Sequence, residues 1–119
     1  MDDYRRMLCK LAIGDNAYIE AATTTESANV TASGLDPKTH ALVRLAALVA
    51  LNTAPAAYIG GVESARRAGA SDEEMVGCLV AVMPALGAPR VVSAAPNLGL
   101  ALGYDVGAAF EDVDGAPTP

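Results

Sequence analysis

Leu35-Asp-Pro-Lys-Thr-His-Ala-Leu-Val-Arg-Leu-Ala-Ala-Leu-Val-Ala-Leu51 decides the fold. Asp36 is a good N-cap, and Pro37 suits the first helical position, where its missing N–H costs nothing. The helix they open runs to about Leu51, and between Ala41 and Leu51 only Arg44 is polar. A helix that is apolar all round has no face for water and must be surrounded by protein. Asn52-Thr53-Ala54-Pro55 breaks it, and Pro55 can sit in the first turn of a following helix that ends near Gly69.

Outward from this stretch the pattern stays helical. Tyr4, Met7, Leu8 and Leu11 recur at helical spacing within residues 2–13, with Arg5, Arg6 and Lys10 between them. Gly14 ends that helix, and Asp15 can cap a short second one through Tyr18 and Ile19. Residues 26–34 read as partly helical, ending at Gly34. Ser71-Asp72-Glu73-Glu74 is a capping box, in which hydroxyl and carboxylate each satisfy the other's backbone N–H. The helix it opens extends to about Met83 and is again apolar nearly throughout. Pro84-Ala-Leu-Gly-Ala-Pro89 reads as a turn before a last helix. The expectation is an all-α domain of about five or six helices over residues 1–104, followed by an acidic, disordered tail over residues 105–119.

Composition sharpens this. The 119 residues suffice for one domain, and 52% are apolar, but only 4% are aromatic. A core of Ala, Val and Leu gains little from each small side chain, whereas a buried Leu or Phe contributes roughly 1.5–3 kcal/mol. Two all-round apolar helices also cannot both be hidden by so short a chain, so a homo-oligomer is expected. The net charge is −6, but Asp105, Glu111, Asp112 and Asp114 lie in the tail, and the body is close to neutral. No basic stripe is present, so nucleic acid is a poor partner. The acidic Met1-Asp-Asp start lacks an apolar signal region, and Ala41–Leu51 is too short to span a bilayer, so no membrane partner is expected. The expected setting is the cytoplasm.

Leu35-Asp-Pro-Lys-Thr, the apolar helix, Ala68-Gly-Ala-Ser-Asp-Glu-Glu-Met75 and Pro84-Ala-Leu-Gly-Ala-Pro89 together resemble the carboxymuconolactone decarboxylase-like family, which includes alkylhydroperoxidase D. The resemblance covers roughly residues 33–103. It implies an alkylhydroperoxidase D-like all-α fold in which helices of neighbouring subunits interlock as trimers or hexamers. In the redox branch it also implies Cys-x-x-Cys, a His four residues beyond, and an upstream Glu. Those positions here carry Ala54, Ala57, Gly61 and, near the Glu, Ala41. Disulfide chemistry needs a thiolate, a resolving thiol and a base. The decarboxylase branch keeps a His in the same helix, where Gly61 stands.

Four residues remain as candidates for lining a substrate site. Arg44, a guanidinium in an apolar helix, requires a carboxylate, an anionic ligand or an escape to solvent. Glu63 suits a general base or partner of Arg44, against a plain i,i+4 pair with Arg67. Tyr58, near the pocket the resemblance implies, can donate a hydrogen bond or simply fill the core. His40, the single histidine, lies in a first helical turn where an exposed or capping role is usual, and alone it excludes a His-based metal cluster. Arg90 opposes the dipole of the helix it starts, which suggests an anion or interface contact. Cys9 and Cys78 have no Cys-x-x-Cys or metal-ligand spacing, and Cys78 reads as a small buried hydrophobe.

The leading expectation is a protein that binds a small organic acid or lactone between helices, with any chemistry being decarboxylation or lactone/enol proton transfer without a cofactor. A thiol peroxidase or disulfide reductase and a non-catalytic oligomeric scaffold are the alternatives.

Overall fold

A computed structural model describes residues 3–110, and these form eight α-helices. These residues divide into two compact units between His40 and Ala41, with the boundary inside the fourth helix.

The first unit holds α1 (Asp3–Ala12), α2 (Asn16–Thr23), α3 (Glu26–Ser33) and the first turn of α4 (Pro37–Leu51). Its helices are short because capping signals interrupt them. Gly14 turns the chain at φ 68°, and Asp15 then accepts the Tyr18 N–H at 3.0 Å. Thr25 caps α3 by accepting the Ala28 N–H at 3.0 Å, and Gly34 ends α3 in the left-handed region at φ 72°. Asn29 of α3 donates to the Ala22 carbonyl of α2 at 2.7 Å. No side chain of α2 or α3 is buried. Asp36 accepts both the N–H of Thr39 at 3.0 Å and its hydroxyl at 2.7 Å. These bonds, the backbone one first, hold the Asp36 carboxyl below its ordinary value.

The second unit contains the rest of α4, then α5 (Pro55–Arg67), α6 (Asp72–Leu86), α7 (Ala88–Leu102) and α8 (Val106–Phe110). Each long helix sends one stripe inward: Ala41, Leu45 and Val49; Tyr58, Val62 and Ala65; Met75 and Leu79; Val91, Ala94 and Leu98. The spacings of three and four residues place each set on one face. Helix α7 lies against both α5 and α6. The helix ends are tied by cations. Arg66, at the end of α5, donates to the Asp72 carboxylate at 3.2 Å and to the Leu102 carbonyl at 3.0 Å. Arg90 donates to the Ala50 carbonyl at 3.1 Å, in the last turn of α4, where a cation is favoured. The helix start at which Arg90 sits is thus incidental; its head reaches another helix's C-terminus.

Three boundaries differ from the sequence reading. The helix count is higher because α2 and α3, which Asp15 and residues 26–34 indicate, both form as separate short helices and α8 is added to them. The turn expected over Pro84–Pro89 contracts to Gly87, at φ 91°, since α6 continues through Pro84 to Leu86. Pro84 forfeits one helical donor within the last turn, and the Gly87 N–H closes that turn on the Met83 carbonyl at 2.8 Å. Helix α8 occupies the start of the stretch read as a tail, where Asp105 accepts the Ala108 N–H at 3.1 Å. Residues 111–119 lie outside the described residues.

The capping box forms as the sequence requires: the Ser71 hydroxyl accepts the Glu74 N–H at 3.0 Å, and the Glu74 carboxylate accepts the Ser71 N–H at 2.8 Å. Ser71→Ala is expected to lower unfolding free energy by about 1 kcal/mol. Met75→Ala, at a side chain with no exposed surface, is expected to cost about 2–5 kcal/mol. Denaturant midpoints with an unchanged slope measure both.

Candidate functional site

Helices α4 and α5 meet at Gly61. A Cβ on that residue would lie 2.9 Å from Leu45 Cδ2 and 3.0 Å from Leu48 Cδ1, so any larger residue there would push the ends of both leucines out of their present seats. One turn further along α5, the same side carries Ser64. Arg44, one turn before Leu48 on α4, reaches it: its Nη1 lies 3.5 Å from the Ser64 oxygen. Arg67 donates to the same oxygen from Nη2 at 3.4 Å, and its Nη1 lies 3.9 Å from the Glu63 carboxylate.

The result is two guanidinium groups on one hydroxyl with a carboxylate at the edge. A serine oxygen has two lone pairs and can accept both donors. The like charges repel one another, only weakly in water, and an anion seated between them would convert that repulsion into attraction. Both arginines and Glu63 are exposed, whereas Ser64 is half-buried.

The candidates therefore separate. Arg44 and Glu63 come together, but through Ser64 and Arg67. The Glu63–Arg67 pair is the i,i+4 contact that the spacing suggested, and an exposed pair of this kind contributes little to stability. Tyr58 is 1% exposed and packs with Val62 and Ala65 on the core stripe of α5, a different face from Glu63 and Ser64. His40 belongs to the first unit. Its Nε2 lies 2.6 Å from Asn29 Oδ1. The Asn29 amide nitrogen already donates to Ala22, which turns its oxygen toward the imidazole and assigns the proton to Nε2.

Sequence reasoning missed Ser64. Its signal is faint: Gly61-Val-Glu-Ser64 sets two small residues one turn apart, and that stripe matters only once α4 is known to lie on it. Arg67 was visible, but as a partner of Glu63 alone.

At the positions where the resemblance expects two cysteines and a histidine, Ala54 is the exposed N-cap residue of α5, Ala57 is half-buried and Gly61 is buried. The volume that an imidazole at position 61 would need is filled by Leu45 and Leu48. Cys9 is exposed on α1 and Cys78 is half-buried on α6, its thiol 3.7 Å from the Leu42 carbonyl. Burial, and secondarily the Glu74 charge, push the Cys78 thiol above its ordinary value, away from the thiolate that redox chemistry requires. Among the described residues no group of three or more His, Cys, Asp or Glu could hold a metal, and no helix is long and apolar enough to cross a membrane.

The described residues form an all-α domain in which α4 meets α5 at a glycine, and no two of their cysteines lie together. The model of the carboxymuconolactone decarboxylase family matches residues 17–98, and the chain belongs to that family. No curated protein and no solved structure gave a match in the same comparisons.

Two outcomes follow. Gly61→His is expected to destabilise, because overpacking costs about 1–3 kcal/mol and relief of the glycine penalty returns only about 1 kcal/mol. Gly60→Ala, whose Cβ meets nothing within 4 Å, is expected to gain about 0.5–1 kcal/mol. Thermal midpoints of the two variants check the contrast. In timed alkylation near neutral pH, Cys9 is expected to react well before Cys78; mass spectrometry of the peptides reads the order.

Proposed function

We propose that this chain binds a small organic acid or carboxylated lactone at Arg44, Ser64 and Arg67, as a cytoplasmic, cofactor-free member of its family. The observation that carries the reading is the convergence of both guanidinium groups on the Ser64 hydroxyl. A ligand carboxylate would take the place of that hydroxyl as common acceptor, in the bidentate geometry guanidinium favours. The Ser64 hydroxyl would then stand beside the bound carboxylate. If turnover occurs, the cations would stabilise the enolate left when a carboxylate departs as CO2 or when a lactone loses a proton, and Glu63 stands where it could take that proton. Tyr58, buried in the core, is not part of this assignment.

The same reading takes the chain as a homo-oligomer. Val43, Leu51, Ile59, Val76, Val80, Val92 and Leu100 of the second unit are all exposed. They lie on α4–α7, including the two helices whose sequence offers no polar face. A second reading, a non-catalytic oligomeric subunit, is favoured by one observation: Leu45 and Leu48 close the space beside Gly61 where relatives would carry a histidine. The thiol-dependent reading has the least support, with Ala54 and Ala57 at the cysteine positions.

Calorimetric titration with carboxymuconolactone and simple mono- and dicarboxylates is the test. Saturable binding is expected, weakened roughly 10- to 100-fold by Arg44→Ala or Arg67→Ala, the loss of one charge-assisted hydrogen bond. Tyr58→Phe is expected to leave affinity unchanged. Binding that survives both arginine variants would remove the site. Equimolar CO2 release from the lactone separates catalysis from binding alone, and a Cys9→Ser/Cys78→Ser variant that keeps full activity excludes a thiol mechanism.

A further inference from the structure

Two helix faces in this chain are apolar, exposed and opposite in charge. On α1, Tyr4, Met7, Leu8 and Leu11 follow the spacing i, i+3, i+4, i+7 and form one stripe. Tyr4, Leu8 and Leu11 are each more than half exposed. Arg5 borders this stripe on one side and Lys10, whose ammonium also lies 5.5 Å from the centre of the Tyr18 ring, borders it on the other, while Arg6 faces away from it at 100° per residue. On α6, Glu73, Val76, Gly77 and Val80 repeat the same spacing and, with Asp72, line a shallow groove. Val76 is 43% and Val80 64% exposed, and nothing lies within 4 Å of where a Gly77 Cβ would stand. Asp72 already pairs with Arg66, yet its side chain stays 56% exposed, and Glu73 lies beside it.

We propose that α1 of one copy docks into the α6 groove of a second copy, its leucines over Val76 and Val80 and its cations against Glu73 and Asp72. Gly77 provides the hollow into which a large side chain of α1 fits, as ridges of one helix enter grooves of another. Charge complementarity selects this occupant: the basic edge of α1 matches the acidic Asp72–Glu73 edge of the α6 groove, and every copy of the chain carries both surfaces. Helix α1 lies before the residues that match the family, so this contact would belong to the chain's own N-terminal helix. The inference rests on the homo-oligomer reading and names the surfaces it uses.

The test is a cross-link between two differently marked chains. Both carry Cys9→Ser and Cys78→Ala; one adds Leu8→Cys and the other Val80→Cys. After mixing and mild oxidation, a disulfide-linked dimer containing one of each chain is expected, and mixing either chain with the parent lacking cysteine is expected to give no such species. Val80→Glu, at a position exposed within its own chain, is expected to weaken association at least tenfold by light scattering, with helicity unchanged by circular dichroism. A wild-type chain that is monomeric overturns the docking and the oligomer reading together. An oligomer that neither forms the mixed cross-link nor responds to Val80→Glu overturns the docking alone and leaves the oligomer reading standing. Co-sedimentation with phosphatidylglycerol vesicles that Leu8→Glu abolishes, with no mixed cross-link, would assign α1 to a membrane surface instead.

Discussion

The approach of α4 to α5 at Gly61 governs most of what surrounds it. With no side chain at that position, Leu45 and Leu48 settle against the α5 backbone, and a Cβ there would already be in contact closer than such atoms tolerate. The close crossing brings Ser64, one turn on, within reach of Arg44. It also fixes which face of α5 is left for the interior, so that Tyr58, Val62 and Ala65 turn inward. A bulkier residue at this position would therefore disturb the leucine packing and the cationic cluster together, although the two share no atom.

The constraint reflects the composition. Four of the twelve core residues are alanines, and the largest fully buried side chains are Tyr58, Leu45, Met75, Val49 and Val62. Small side chains fill space only if backbones come close, and close backbones exclude the bulky residues that would otherwise supply burial energy. Polar ties at the helix ends compensate in part: Arg66 links α5 to the start of α6 and the end of α7, and Arg90 satisfies the end of α4. They are exposed and individually modest. The valines and leucines left on outer faces are the part of the apolar surface that this core leaves unburied, and they are the surfaces on which the proposed homo-oligomer rests.

Local signals were legible in the sequence because their chemistry is local. Asp15, Asp36 and Ser71 each cap the helix they precede through a side chain three residues from its partner, and Gly34 ends α3 where only a left-handed residue fits easily. Pro84 misled because a proline in the final turn removes one donor without breaking the helix, and Gly87 supplied the actual stop. The site was less legible for a different reason. Arg44 and Glu63 stood out as charges among apolar residues, but Ser64 has no meaning until the register of α4 on α5 is known. Tyr58 shows the reverse: a hydroxyl draws attention in the sequence, while its position on the same stripe as Val62 and Ala65 places it in the core.

The position-by-position comparison with the family's expected chemistry then takes on a spatial meaning. Ala54, Ala57 and Gly61 lie on the first two turns of α5, whereas Glu63, Ser64 and Arg67 lie on its last two. The first set carries no titratable group, and at Gly61 the space is filled by leucine; the second gathers two cations, a hydroxyl and a carboxylate close to one another. A buried imidazole in place of Gly61 and the present Leu45–Leu48 packing cannot coexist, so the two arrangements are alternatives in one fold rather than additions to it. The leucine packing at Gly61 and the Arg44–Ser64 contact lie one turn apart on the same α4–α5 crossing. The absence of titratable groups at the inner positions and the cationic cluster at the outer ones are therefore two features of one helix crossing, and this is why the proposed ligand is assigned to the outer cluster.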